Sequence, residues 1–416
     1  MKFSERIPIS KAFKEKRPTV AAWVQDYRSL KNVKFIILRD ATGTLQVTIP
    51  KSNPNFKFEV TKESYIIVKG KMVDNNVARG GKELIPEEIE VINSSDQPLP
   101  IDISNKIETS LSKRLDWRFI DLRREGVIPI FKLESEIVRA LEDFVTSKGF
   151  VRIFPSAIVD SPTEGGTNYF KIDYFDKQAY LAQSPQFYKE LSLLGGLEKV
   201  YAVMPVFRAE PHFTSRHLCE YTSFDVEMVT DDMMELIELE TEMLIHLNNH
   251  LKKVSLPSFN IGKPIYITFK EAKEIAEQKG VNVLDDLNSE AERVIGEWAA
   301  KKGTDMVYVG MYPFKEKPFY AKKVDDELAW SFDLIFKGVE LTTGGLREHR
   351  YEQRRKNAIE HGINPDQFDH FRFFKYGMPP HGGFAIGVER LVMQIMNLQN
   401  IREASLTPRD PERLTP

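Results

Sequence analysis

The chain has 416 residues, 42% of them hydrophobic and 29% charged, ordinary values for a globular protein with room for two domains. A formal net charge of −3 argues against blanket affinity for nucleic acid, and no apolar run approaches the roughly 18 residues of a bilayer-spanning helix, so no membrane partner is expected. The one cysteine, Cys219, excludes an internal disulfide, and Met1-Lys2-Phe3-Ser4-Glu5 lacks the basic-then-apolar pattern of a signal peptide; a reducing, cytoplasmic setting is expected.

Charge is uneven along the chain. Residues 1–40 hold ten Lys or Arg against four acids, which fits either a local polyanion site or a solvated basic face. Residues 18–92 predict five short strands, Thr19–Tyr27, Val33–Arg39, Leu45–Ile49, Ser64–Met72 and Glu83–Ile92, rich in β-branched and aromatic residues. Turn signals stand between them at Asp40-Ala41-Thr42-Gly43, Asp74-Asn75-Asn76 and Arg79-Gly80-Gly81, a spacing that suits an OB-type barrel. Pro98-Leu99-Pro100 marks a boundary. The expected organisation is a barrel domain over 1–98, a charged hinge over 99–130 carrying Arg114, Arg118, Arg123 and Arg124, and a larger α+β domain with an antiparallel sheet over 131–416.

Beyond the hinge the period changes. Phe131, Ile137, Leu141, Phe144 and Val145 predict an amphipathic helix ending at Lys148-Gly149, and Leu236, Leu239, Met243, Leu247 and Leu251 predict another. Ser289 with Glu292 predicts a capping box opening a helix over Ala291–Lys301. Strands are expected at Met306–Met311, Trp330–Phe336 and Gly383–Ile386. No GxGxxG or Walker A sequence occurs, so any nucleotide site must be built without a glycine-rich phosphate loop.

Two segments carry chemistry. Phe207-Arg208-Ala209-Glu210, continuing through Arg216-His217-Leu218 to Tyr221 and Phe224-Asp225-Val226-Glu227, predicts a strand–loop–strand hairpin whose arginines could clamp phosphates and whose tyrosine could stack on a base. A surface hairpin with ion pairs is the plainer reading of the same residues. Near the end, Gly382-Gly383-Phe384-Ala385-Ile386-Gly387-Val388-Glu389-Arg390 leads small residues into a helix. An arginine at a helix start is electrostatically unfavourable unless an anion sits there.

Together these segments resemble motifs 2 and 3 of the class II aminoacyl-tRNA synthetases, with Gly149–Pro155 similar to motif 1, a dimer-interface element in that family. The barrel segments Val20–Val24, Phe35–Asp40 and Leu45–Val47 resemble the OB-fold of the aspartate, asparagine and lysine subgroup. The similarity is closest to archaeal-type aspartyl enzymes, through Thr163-Glu164-Gly165-Gly166-Thr167, Gln183-Ser184-Pro185-Gln186, Gly344–Arg350 and Pro408–Pro416. The resemblance implies ATP-dependent attachment of L-aspartate to tRNA(Asp) through an aspartyl-adenylate, with magnesium and a homodimer.

The same resemblance implies roles residue by residue. Arg208, Glu210 and Arg390 would carry catalysis, and the ATP site would add Ala209, Arg216, His217, Leu218, Tyr221, Glu340, Gly387, Val388 and Glu389. Aspartate would meet Glu164, Gln186, Phe187, Tyr188, Lys189, Arg208, Asp225, Thr343 and Arg347, with Lys189 and Arg347 facing its side-chain carboxylate. Glu340 and Thr343 would hold magnesium, a hard ion suited to oxygen ligands. In the barrel, Phe35 would stack on an anticodon base and Arg28, Gln46 and Glu83 would read base edges, although a barrel-core position is the plainer reading of Phe35. Gln25 and Arg79 are candidates for deciding whether tRNA(Asn) is charged as well. The alternatives are an asparaginyl enzyme, disfavoured by Lys189 and Arg347; a related asparagine synthetase, which would not need the barrel; and a non-catalytic RNA-binding paralogue.

Overall fold

The computed structural model describes residues 1–162, 168–211 and 214–416, with Gln367 described in its backbone alone. The chain forms two compact units, Met1–Pro100 and Ile101–Pro416.

In the first unit, β1 (Thr19–Ser29), β2 (Val33–Asp40), β3 (Gly43–Pro50), β4 (Tyr65–Asp74) and β5 (Lys82–Asn93) close into a barrel in the order β1-β2-β3-β5-β4. These are the five strands expected from the sequence. Neighbours pair antiparallel except for the short parallel contact of β3 with β5 at Val47 and Leu84. Successive side chains on a strand point to opposite faces. Val20, Ala22 and Val24, Ile36 and Leu38, and Leu45, Val47 and Ile49 therefore fill the interior, where all are buried. A one-turn helix, α1 (Ile9–Ala12), adds Ile9 and Ala12 to that interior, and Asp40 accepts the Ile9 N–H at 2.8 Å.

The second unit begins earlier than expected. Residues 101–130, read as a hinge, fold into it: α2 (Leu111–Asp116) and α3 (Arg118–Asp121) precede the long α4 (Ile128–Ser147). The hinge arginines explain why. Arg114, Arg118 and Arg124 converge on the buried Asp121, and Arg118 also donates to the carbonyls of Glu403 and Ser405 at 2.8 and 2.7 Å. The charged stretch read as a hinge is thereby tied to the end of the same unit.

An eight-stranded sheet organises the rest. In chain order its strands are β6 (Val151–Arg152), β10 (Lys199–Phe207), β11 (Glu220–Val229), β12 (Ile265–Thr268), β13 (Met306–Gly310), β14 (Ser331–Phe336), β15 (Val339–Arg347) and β16 (His381–Gly387), arranged β12-β13-β14-β15-β16-β11-β10-β6. The β12–β13 and β10–β6 pairs are parallel and the others antiparallel. A small sheet of β7 (Ile158–Val159), β8 (Lys171–Tyr174) and β9 (Lys177–Leu181) lies apart from it. The remaining helices are α5 (Gln186–Ser192), α6 (Met233–Lys253), α7 (Phe269–Glu277), α8 (Ser289–Ala300), α9 (Tyr351–Glu360) and α10 (Val388–Met396).

One face of the sheet is sealed by helices. Asp232 caps α6 by accepting the Met234 N–H, and the helix buries Leu236, Met243, Leu244, Leu247 and Leu251 at helical spacing. With Ile137 and Leu141 of α4 and Leu391 and Val392 of α10, these pack on Phe224, Val226, Phe332, Leu334, Phe384 and Ile386 of the sheet. Each fully buried leucine contributes about 2 kcal/mol. The strand residues between those apolar ones must face the other way, and that open face carries the polar side chains.

The expected capping box at α8 is corrected. Asn288, one residue before Ser289, is the cap: its side chain accepts the N–H groups of Glu290 and Ala291. With the helix started one residue earlier, Glu292 lies too far along to reach back to the cap, and its carboxylate is spent elsewhere.

Candidate active site

Cross-strand register assembles the site. Asp333 of β14 lies opposite Thr343 of β15, Thr343 opposite Ala385 of β16, and Ala385 opposite Asp225 of β11. In the next row Ser331, Gly345, Gly383 and Glu227 follow one another across the same four strands. Over these rows opens a cavity of about 550 Å³, joined at Arg208, Glu210, Glu340, Thr343 and Ala385 to a second of about 240 Å³.

The larger cavity has a cationic wall held by buried carboxylates. Lys189 of α5 sits 2.8 Å from Asp225 and 3.3 Å from Glu227. Arg347 reaches Glu227 at 2.9 Å and the Gly383 carbonyl at 3.0 Å. Burial alone would lower both cations, but the facing carboxylates outweigh it and raise them above their ordinary values. Burial likewise works against Glu227, yet Arg347 and Lys189 pull its pKa below the usual range. Lys189, Arg347 and Glu227 are therefore charged near neutrality. Gly383 makes the packing possible: a Cβ there would stand 2.1 Å from the Val226 carbonyl and 2.4 Å from Glu227 Oε2.

A further layer fixes α5. Gln186 donates to Glu190 at 2.7 Å, and Glu190, itself fully buried, pairs with Arg354 of α9 at 2.6 Å. Glu190, Glu227 and His381 come within 4.8 Å of one another, a spacing metal ligands use. Here Arg354 and Arg347 already compensate the two carboxylates, so the cluster anchors arginines.

The smaller cavity is lined by Arg216, His217, Leu218, Tyr221, Gly387, Glu389 and Arg390. Arg390 donates to the Glu340 carbonyl at 2.7 Å, and Arg216 lies 3.3 Å from Glu292. His217 pairs with Thr214 at 2.6 Å, and desolvation pushes its pKa down, so its ring is neutral near pH 7. Glu389 accepts the Thr222 N–H with both oxygens at 3.0 Å, which makes it a brace for the start of β11; burial raises it to about 6.

The oxygen set suits a hard cation. Thr343 Oγ1 and Glu340 Oε1 lie 3.2 Å apart on the shared wall, and Asp333 stands opposite Thr343. Asp333 is fully buried and raised to about 6 by that burial, while Lys317 neutralises it at 2.8 Å.

Most sequence-predicted residues thus meet in one place, and some do not. Phe187 stacks on His370 in a separate apolar cluster with Phe319 and Phe371, and Val388 is sealed in the main core. Their side chains leave the cavity because both sit on inward faces of helices. Tyr188 meets Ser192 through its carbonyl, and Ala209 meets the Asn168 carbonyl through its N–H at 3.2 Å. Glu164, in the 163–167 segment, lies outside the described residues. Glu227, Asp333, Lys317, Glu190 and Arg354 join the site without having been expected there, as does Glu292, which was expected only as a helix cap. Glu227 was readable, being two residues beyond Asp225 on a strand and so on the same face. Asp333 was also readable as a lone acid inside the apolar run Ser331–Phe336.

On the barrel, Phe35 does not fill the core. Lys34, Ile36 and Leu38 take the inward positions of β2, leaving Phe35 half-buried on the outer face opposite Arg28 and Thr48. Glu83 Oε2 accepts from Gln46 at 2.9 Å, Thr48 at 2.6 Å and Asn75 at 2.9 Å. Arg28, exposed, pairs with Asp26. Gln25 is exposed at a β-bulge, where β1 spends two steps between Val24 and Asp26 while β2 spends one between Leu38 and Ile37. Arg79 is exposed in the β4–β5 turn.

One unit that is a five-stranded barrel, and another with a sheet-borne site of paired cations and a second arginine-lined cavity, define a class. The family of class II tRNA synthetases (D, K and N) matches residues 110–411, the OB-fold nucleic acid binding domain matches 19–92, and the chain belongs to the class II tRNA synthetases of this group. Among its curated relatives are the aspartate–tRNA(Asp) ligase of Pyrococcus furiosus, 38% identical over 98% of both chains, and the aspartate–tRNA(Asp/Asn) ligase of Methanopyrus kandleri, 40% identical over 95% of both. The asparaginyl-tRNA synthetase of Pyrococcus horikoshii complexed with asparaginyl-adenylate is similar in structure, with a TM-score of 0.89, 31% identity and coverage of 99% of this chain and 100% of that one.

Proposed function

We propose that the protein is an aspartate–tRNA ligase that activates L-aspartate with ATP and transfers it to tRNA(Asp). The observation that carries this is the pair Lys189 and Arg347, two buried, charged cations on the wall of the larger cavity. Aspartate brings an ammonium and two carboxylates. Asp225 offers a partner for the ammonium, Lys189 and Arg347 for the side-chain carboxylate, and Arg208, on the wall common to both cavities, for the α-carboxylate. A neutral carboxamide would leave two desolvated cations less well compensated, which disfavours asparagine.

In the first step an α-carboxylate oxygen of aspartate attacks the α-phosphorus of ATP, forming a P–O bond and releasing pyrophosphate. In the second a terminal ribose hydroxyl of the tRNA attacks the acyl carbon and AMP leaves. Neither step needs a protein nucleophile; positioning and charge neutralisation suffice. Arg208 would hold the α-phosphate, Arg216, His217 and Arg390 the outer phosphates, and Tyr221 the adenine, with Glu210 orienting the nucleotide. Glu340 and Thr343 would hold magnesium through their side-chain oxygens, and the bound ion would neutralise phosphate charge.

The barrel would read the anticodon, Phe35 stacking and Gln46, Glu83 and Arg28 meeting base edges. Gln25 at the bulge and Arg79 in the turn, both exposed, would influence whether tRNA(Asn) is also charged, and we propose that the chain accepts both. Val151 and Phe154, both exposed, fit a homodimer contact. Aspartate-dependent ATP–pyrophosphate exchange tests the amino acid: exchange with aspartate and none with asparagine is expected, and the reverse refutes the assignment. Charging transcripts of both tRNAs side by side tests the range, and clean rejection of tRNA(Asn) refutes the wider one.

A further inference from the structure

Glu292 is a buried acid on α8 that neither the cap of its own helix nor the aspartate wall uses. Its Oε2 accepts the backbone N–H of Glu340 at 2.9 Å and faces Arg216 Nη1 at 3.3 Å. The carbonyl of that same Glu340 accepts from Arg390 at 2.7 Å. One carboxylate thus contacts Arg216 directly and is linked to Arg390, another arginine of the smaller cavity, through the backbone of Glu340. Arginine loses much rotamer freedom on binding an anion unless something already holds it. Glu292 can hold Arg216 because it is immobilised by a backbone hydrogen bond and its side chain is only 11% exposed.

We infer that Glu292 is a positioning residue for the ATP outer phosphates: it presets the Arg216 guanidinium in the cavity and ties its placement to Glu340. This rests on the proposed reading of the smaller cavity as the phosphate site. The carboxylate meets Arg216 through Nη1, leaving its other guanidinium N–H groups for phosphate oxygens. It touches no substrate, so its effect must run through Arg216.

The test is aspartate-dependent ATP–pyrophosphate exchange in Glu292→Gln, Arg216→Ala and the double variant. Glutamine keeps an oxygen for the Glu340 N–H and removes the charge that holds Arg216. In Glu292→Gln the KM for ATP is expected to rise about tenfold, the low end of what removing an orienting partner costs, while the KM for aspartate stays unchanged. In the Arg216→Ala background the same change is expected to add nothing, because the group it positions is gone. An unchanged ATP KM in Glu292→Gln, or an equal rise with and without Arg216, overturns the inference. Should Glu292→Gln not fold, Glu292→Asp keeps the charge but shortens its reach: a smaller ATP rise that disappears in the Arg216→Ala background supports the inference, and a rise that persists there overturns it. If Arg216→Ala alone leaves the ATP KM untouched, the phosphate reading itself has failed and the inference falls with it.

Discussion

Replacing Arg347 with methionine should damage stability and activity together, and the two can be separated. Arg347 faces Glu227 at 2.9 Å with 9% of its side chain exposed and none of its partner's. At an effective dielectric near 20 the gross attraction is about 6 kcal/mol, most of which offsets desolvation. Removing one member of such a pair costs about 3–5 kcal/mol, because the other is left buried and uncompensated. Lys189, 3.3 Å from Glu227, keeps part of the compensation, so the expected loss is at the lower end, about 3 kcal/mol. Urea unfolding followed by tryptophan fluorescence measures it, since Trp117, Trp298 and Trp330 all lie in the second unit. Adding Glu227→Gln to Arg347→Met removes the stranded charge and should recover most of the stability while aspartate-dependent exchange stays abolished. A loss below about 1 kcal/mol in the single variant, or no recovery in the double, would show that Glu227 is not left uncompensated.

Three further outcomes are expected. Glu240, fully buried behind the sheet with Thr342 donating to it at 2.6 Å, is raised to about 8 by burial. Between the ordinary carboxylate pKa and 8 the folded chain holds a proton there that the unfolded chain has lost, so stability falls as pH rises through that window, by at most about 1.4 kcal/mol per pH unit. Glu240→Gln, still able to accept from Thr342, should flatten that slope in denaturation series from pH 5 to 8.5; an unaltered slope contradicts it. Phe35→Ala should raise the KM for tRNA(Asp) by about tenfold to a hundredfold, as loss of one base-stacking partner does, without changing exchange in the absence of tRNA. Chelation of magnesium should abolish exchange in the wild type, and Glu340→Gln should raise the magnesium needed to restore it; an unchanged magnesium requirement would remove Glu340 from the metal site.

Much of this was legible in the sequence. The barrel strands announced themselves through β-branched runs between Gly, Asn and Asp turns, and α4 and α6 through a helical apolar period. The side of Phe35 was not legible, because Val33-Lys34-Phe35-Ile36-Ile37-Leu38 is nearly continuous in its apolar content and offers no period of two. The α8 start was misread because Asn288 and Ser289 are adjacent and both able to cap, and only backbone geometry chooses between them. The pairing of Glu190 with Arg354 spans 164 positions, and a contact made by tertiary folding leaves no local trace. Likewise Arg114, Arg118 and Arg124 stand in the stretch read as a hinge, and their convergence on the buried Asp121 is a contact that charge content alone does not show.

By the proposed reading, Lys189 and Arg347 select aspartate for transfer to tRNA. Purified protein incubated with ATP, magnesium, a tRNA(Asp) transcript and either radiolabelled aspartate or radiolabelled asparagine tests it most directly. Labelled tRNA with aspartate and none with asparagine is the predicted result; charging with asparagine, or with neither, would contradict it.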